Sequence, residues 1–301
     1  MSTDMFATVL DCNGRPLTLD RTRVVGIINV TPDSFSDGGQ FSSVEAAVEH
    51  GVLLAEEGAD MLDVGGESTR PGAADVSVED ELQRVLPVIE QLVARTSLPI
   101  AIDTSKPEVM RAAVAAGAGM INDVYALRRE GALDAAAELR VPICLMHMQG
   151  EPRSMQDEPH YDDVVGEVHR FLTDRLFACE MAGIDRRKVM VDPGFGFGKT
   201  VEHNLALLRK LQRFADLGSG VYAGLSRKSM IGTLTGRQQP ADRAAGSVAA
   251  ALIAVQRGAR MVRVHDVAPT VDALKVWHAV QAGDTPERHD KPKMPSWPDD
   301  D

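Results

Sequence analysis

Between residues 23 and 281 the chain repeats one rhythm: a short apolar run, then a stretch with the apolar spacing of an amphipathic helix. Eight apolar runs stand out, at 23–30, 59–64, 98–103, 118–123, 141–147, 188–192, 219–225 and 260–265. The helical stretches lie near 43–57, 77–95, 107–116, 130–139, 161–182, 202–214, 241–257 and 270–281. Strands that are apolar throughout are covered on both faces, and their alternation with helices implies a parallel sheet. Eight such units predict an α/β fold, the (β/α)8 TIM barrel. A doubly wound open sheet is the alternative, but it normally has fewer strands. Residues 5–20 differ: two alternating runs flank Asn13-Gly14. That pattern predicts a β-hairpin, placed so as to close the bottom of the barrel. One domain thus spans 1–281, and the polar tail 282–301 is expected to be disordered.

Composition narrows the function. The chain has 301 residues and a formal net charge of −12, which argues against a general nucleic-acid or membrane-surface binder. A local basic pocket could still hold an anion. Cys12, Cys144 and Cys179 are isolated, with no CxxC spacing, so neither a zinc site nor a disulfide framework is expected. The N-terminus lacks a signal-peptide pattern. The longest near-apolar run, 244–255, is too short to span a bilayer. A cytoplasmic protein is expected.

Barrel chemistry sits at the C-terminal ends of the strands. Those positions hold Asn29, Asp63, Asp103, Asn122, Asp123, His147, Asp192, the cluster Ser226-Arg227-Lys228, Arg263 and His265. Asp63 and Asp123 fit the ordinary role of cap or turn former. The rest form a polarised ring, with acids and amides on the third, fourth and sixth runs and cations on the last two. It suits a ligand that is anionic at one end and rich in N–H donors at the other. Long glycine-bearing loops follow the first two runs, at 31–43 and 65–76, and read as lids. The glycines of Gly194-Phe-Gly-Phe-Gly198 match neither a P-loop nor a dinucleotide fingerprint. They let backbone pass close to a ligand, with Phe195 or Phe197 as an apolar wall.

Several segments resemble the bacterial, monofunctional dihydropteroate synthase family. They are Gly26-Ile-Ile-Asn-Val-Thr-Pro-Asp-Ser-Phe-Ser-Asp-Gly-Gly39, Asp63-Val-Gly-Gly-Glu-Ser-Thr-Arg-Pro-Gly72, Ile102-Asp-Thr-Ser-Lys-Pro107, Ile121-Asn-Asp123, Leu145-Met-His147, Asp192-Pro-Gly-Phe-Gly-Phe-Gly-Lys199, Ser226-Arg-Lys-Ser229 and Arg263-Val-His-Asp266. The likeness runs over about residues 5 to 280, so no fused pyrophosphokinase domain is expected.

The resemblance implies a transferase of folate biosynthesis. In that reaction p-aminobenzoate displaces pyrophosphate from 6-hydroxymethyl-7,8-dihydropterin diphosphate, by dissociative displacement under two closing loops. It implies pterin contacts from Asp103, Asn122, Met146, Asp192 and Lys228, and diphosphate contacts from Asn29, Arg263 and His265. Asn29 would be a ligand of Mg2+. Thr69, Arg70, Pro71, Phe197, Lys228 and Ser229 would line the p-aminobenzoate pocket. The implied catalytic set is Asn29, Asp33, Phe35, Asp103 and Lys228. A homodimer and inhibition by sulfonamides are implied as well, with no nucleic-acid or membrane partner. The alternatives are a methyltetrahydrofolate:corrinoid methyltransferase, which would not need the Ser-Arg-Lys cluster, a phosphosugar aldolase using Lys228, and a catalytically silent paralogue.

Overall fold

The computed structural model describes residues 8–31, 39–68, 75–150 and 155–282. Strands β1 (Val9–Cys12) and β2 (Arg15–Thr18) pair antiparallel. Their turn holds Asn13 and Gly14 at φ 55° and 79°, the left-handed pair that a two-residue hairpin loop requires. Eight further strands follow: β3 (Arg23–Asn29), β4 (Met61–Gly65), β5 (Ile100–Asp103), β6 (Met120–Asp123), β7 (Ile143–Met146), β8 (Val189–Asp192), β9 (Val221–Ala223) and β10 (Ala259–Val264). They pair in parallel and close in the order β10-β3-β4-β5-β6-β7-β8-β9, the predicted barrel.

Around it lie α1 (Gly39–Glu56), α2 (Val78–Arg95), α3 (Pro107–Ala115), α4 (Ala132–Leu139), α5 (Val164–Met181), α6 (Val201–Arg209), α7 (Ser229–Thr235), α8 (Ala244–Gln256) and α9 (Val267–Ala282). Helix α2 illustrates why these segments are helical. The Ser77 side chain accepts the Asp80 N–H, acids fill the first turn and Arg95 ends the last, all favourable to a helix dipole. Its apolar stripe, Val85, Val88, Ile89 and Leu92, is buried. The short α7 has no counterpart among the expected helices. Its seven residues are too few to set up a periodic signal. It forms because Met230 and Ile231 are buried, and Gly236 at φ 72° stops it. Helix α9 runs through Ala282, one residue past the expected end of the domain. The rest of the expected tail lies outside the described residues.

Inside the barrel, each strand gives one residue to a bottom layer: Val25, Met61, Ala101, Met120, Cys144, Met190, Tyr222 and Met261. Leu10, Cys12, Leu17 and Leu19 of the hairpin segment cover that layer. The hairpin is pinned there by polar bonds. Asn13 Nδ2 donates to the carbonyls of Val114 and Ala118 at 3.1 Å. Arg15 donates to those of Val93, Thr96 and Leu98 at 2.7–2.8 Å. Side chains two positions apart on a strand face the same way. The next layer up is therefore Ile27, Asp63, Asp103, Asn122, Met146, Asp192, Gly224 and Arg263. A sulfur-rich apolar floor thus supports a charged layer. The outward positions, such as Val24, Ile28, Leu62, Ile102 and Val191, pack against the helices.

Candidate active site

The charged layer is cross-linked. Arg263 on β10 donates from Nε to Asp63 Oδ2 at 2.5 Å and from Nη2 to Asp103 Oδ2 at 2.8 Å. Asn122 Nδ2 on β6 donates to the same Asp63 oxygen at 3.0 Å. Asp63 has no exposed surface, and it is the hub of this layer rather than a cap. Asp123 does behave as expected: it accepts the N–H groups of Tyr125 and Leu127 and the Ser105 hydroxyl, and so shapes the loop after β6. Asp192 Oδ1 accepts the Gly194 N–H at 2.7 Å.

These groups titrate away from their usual ranges. Burial pushes Asp103 up to about 7, opposed by the Arg263 charge. Burial likewise raises Asp192 to about 6, against the Gly194 hydrogen bond and the Lys228 charge. Lys228 is lowered to about 8 by burial, with Asp192 opposing and Arg263 adding to the shift. His265 is lowered to about 3 by burial and by Arg263 and Arg227, so its imidazole is neutral. Its Nδ1 lies 3.0 Å from the Ser226 hydroxyl, which also accepts the His265 backbone N–H at 3.1 Å.

One wall is made by the segment 194–199. The Lys228 ammonium stands 4.0 Å from the centre of the Phe197 ring, a cation–π distance. Phe197 clusters with Val124, Met146, Met148 and Met155, whereas Phe195 belongs to the main core. The aromatic wall is thus Phe197. The glycines mainly let this segment lie on protein backbone. A Cβ on Gly194 would stand 1.9 Å from the His147 carbonyl oxygen, and one on Gly198 2.5 Å from that of Gln149. Buried Lys199 ties the same pieces together, with Nζ 2.9 Å from both the Phe197 oxygen and His147 Nδ1. His147 therefore serves this wall and not the ring of charges.

At the rim, Arg227 is engaged with Asp266 at 2.6 and 3.1 Å, so of the two adjacent cations only Lys228 is turned to Phe197 and Asp192. Ser229 opens α7 and is exposed, and Asn29 ends β3 half-buried. Asp33, Phe35, Thr69, Arg70 and Pro71 lie outside the described residues. At the base of the second long loop, Lys106 Nζ donates to Glu67 at 2.6 Å and to buried Glu81 at 2.5 Å. Glu67 also accepts the Val76 N–H at 3.0 Å. Asp63, Lys106, Glu81, Lys199 and Ser226 all support the site; apart from Glu81 they lie in the segments the sequence singled out, but nothing local to them names the partners they take.

Among the described residues no group of three His, Cys, Asp or Glu could hold a metal ion. The donor available at the rim is the neutral, hard amide oxygen of Asn29. It fits Mg2+ only as one ligand among substrate oxygens and water, which is how that ion is commonly bound. No helix among the described residues is long and apolar enough to cross a membrane.

Residues 25–265 match the family model described as pterin binding enzyme. A dihydropteroate synthase of Escherichia coli strain K12 is 50% identical over 281 residues, covering 93% of this chain and 99% of that protein. A Xanthomonas albilineans dihydropteroate synthase solved with 4-aminobenzoic acid is 68% identical, with a TM-score of 0.88 over 92% of this chain and 99% of that one. A Yersinia pestis dihydropteroate synthase in a sulfonamide drug complex is 46% identical, with a TM-score of 0.86 over 91% and 99%.

Proposed function

Because this chain belongs to the dihydropteroate synthase family of pterin-binding enzymes, we propose that it joins 6-hydroxymethyl-7,8-dihydropterin diphosphate to p-aminobenzoate, giving 7,8-dihydropteroate and pyrophosphate. It is a transferase. The observation that carries the substrate assignment is the polarity of the charged layer. Asp103, the Asn122 oxygen and Asp192, on β5, β6 and β8, offer acceptors to an N–H-rich ring, while Lys228 and His265 follow β9 and β10 and Arg263 on β10 reaches across to Asp63 and Asp103.

In the proposed reaction the methylene C–O bond breaks with its electron pair going to the diphosphate. The aniline nitrogen lone pair then forms the C–N bond, and that nitrogen loses a proton. The dihydropterin ring spreads the intermediate positive charge, and ionised Asp103 stabilises it by Coulomb attraction in a buried setting. Arg263 and the neutral imidazole of His265 meet the anionic leaving group. Mg2+, when bound, would neutralise charge on the diphosphate oxygens, with Asn29 as its ligand from this chain. The cation must be kept from water, and the loops 31–43 and 65–76 are assigned that role on their length and glycine content. Thr69, Arg70, Pro71, Phe197, Lys228 and Ser229 are assigned to p-aminobenzoate, with Phe35 beside them and Asp33 as a catalytic member of the first loop. A cytoplasmic homodimer is the expected assembly, checked by light scattering.

The test is pyrophosphate release by purified protein. It should require both substrates and Mg2+, and sulfonamides should compete with p-aminobenzoate. Release that does not depend on p-aminobenzoate would sink the assignment.

A further inference from the structure

We propose that Asp63, which has no exposed surface, is the positioning residue that sets the donor–acceptor pattern of the pocket: it turns the Asn122 amide so that its oxygen faces the pterin, and it anchors Arg263 beside Asp103. The inference rests on the pterin reading of the site. A carboxylate paired with a guanidinium can only accept hydrogen bonds. The Asn122 atom 3.0 Å from Asp63 Oδ2 is therefore its nitrogen, which leaves the oxygen for the pocket. That choice matters, because a site that offers acceptors rejects a ligand edge lacking donors far more strongly than an apolar wall does.

The same oxygen takes Arg263 Nε at 2.5 Å. With Nε fixed on Asp63 and Nη2 on Asp103, the guanidinium has Nη1 left for an anion. One buried carboxylate on β4 thus gathers a residue from β6 and another from β10, across the barrel mouth. A mere structural ion pair would not need Asn122. A turn former would bond to backbone N–H groups, as Asp123 does, whereas both bonds to Asp63 come from site side chains.

The experiment compares wild type with Asp63→Asn, using 6-hydroxymethylpterin as the probe in titration calorimetry. Both donors sit on Oδ2, while buried Oδ1 has no partner among the described residues. The variant therefore keeps the shape and can keep an oxygen for both, but it removes the negative charge that makes both bonds strong. Pterin affinity should fall roughly 10- to 100-fold, while KM for p-aminobenzoate in the turnover assay stays near the wild-type value. A second readout is the pH dependence of pterin binding. Asp103 is raised by burial, lowered by Arg263, and raised further by Asp63, Glu81 and Asp123. Neutralising Asp63 removes one of those acids and leaves Arg263 to Asp103 alone, so the acid limb should move to lower pH. Unchanged pterin affinity overturns the inference, as does an equal loss for both substrates with an unmoved acid limb. Should Asp63→Asn fail to fold, the Asn122 side-chain amide of wild type decides. Assigned by its disappearance in Asn122→Asp, it should exchange slowly with solvent before pterin is added. Fast exchange that slows only on binding pterin overturns the inference. If wild type itself does not bind the probe, the pterin reading falls and this inference with it; binding by wild type that Asp63→Asn leaves unaltered overturns this inference alone.

Discussion

The Lys228 ammonium lies 4.0 Å from the Phe197 ring centre while its charge also acts on Asp192. It stands between the acceptor side of the pocket and the aromatic wall, so one cation serves both proposed substrates. Lys228→Ala should lower kcat/KM at least about 100-fold, the scale for losing a preorganised charge. A circular dichroism melt should remain cooperative, since among the described residues the Lys228 ammonium makes no hydrogen bond or ion pair and touches only the small cluster around Phe197 rather than the main core. Wild-type kcat/KM in this variant would remove Lys228 from the site.

The titrations set a pH window for pterin binding. Asp103 and Asp192 have raised values, about 7 and about 6. They accept N–H bonds as anions only above those values, so affinity should fall on acidification through that range. Lys228 is lowered to about 8, so its charge is present below that value and lost above it. Affinity plotted against pH should therefore be bell-shaped, highest between about 7 and 8. Lys228→Arg should carry the alkaline limb upward, because a guanidinium stays charged. A flat profile from pH 5 to pH 9 would contradict this account.

The barrel was legible because its signals are local and repeated. Val24, Ile28, Leu62 and Ile102 face helices and Val25, Met61 and Met120 face the floor, so strand after strand reads as apolar on both sides. The chemistry at strand ends was legible because Asp103, Asn122, Asp192 and Arg263 interrupt those runs at one end. The partners of these groups were not legible. Asp63 interrupts its run in the same way as Asp123, and only contacts across the lumen separate the hub from the turn former. Lys199 gives no sign in sequence that its ammonium ends among the Phe197 carbonyl and His147 rather than in water. Helix α7 was missed because burial of Met230 and Ile231, not periodicity, makes it fold.

Function here opposes stability. Burial raises the Asp192 carboxyl from 3.8 to about 6, so the folded state holds its proton more tightly than the unfolded chain. For an acid the sign is a penalty: absent below the unfolded value, growing as pH rises, and full above about 6. Asp192→Asn keeps an oxygen for the Gly194 N–H and removes the charge. At pH 8 the variant should be more stable, by on the order of 2 kcal/mol, and the gain should vanish near pH 4. Pterin binding should be lost in the same protein. Urea titrations at the two pH values check the first part, and a variant less stable than wild type at pH 8 refutes it.

The floor of the barrel should respond in the opposite way, with stability lost and chemistry kept. Gly119 precedes β6 where the hairpin crosses beneath it. A Cβ there would stand 2.3 Å from the Cys12 carbonyl oxygen and 2.5 Å from its carbon. Both are backbone atoms, so no side-chain rotation relieves the contact. Either the hairpin lifts, uncovering Leu10 and Cys12 from Met61, Met120 and Met190, or the start of β6 shifts against β5. Overpacking of this kind costs about 1–3 kcal/mol. The pocket lies one layer higher and on the far side of that floor, so its charged groups need not move. Gly119→Ala should therefore show a lower urea midpoint, with kcat per folded molecule and both KM values close to wild type. An unchanged midpoint would mean that the hairpin is not seated tightly against β6.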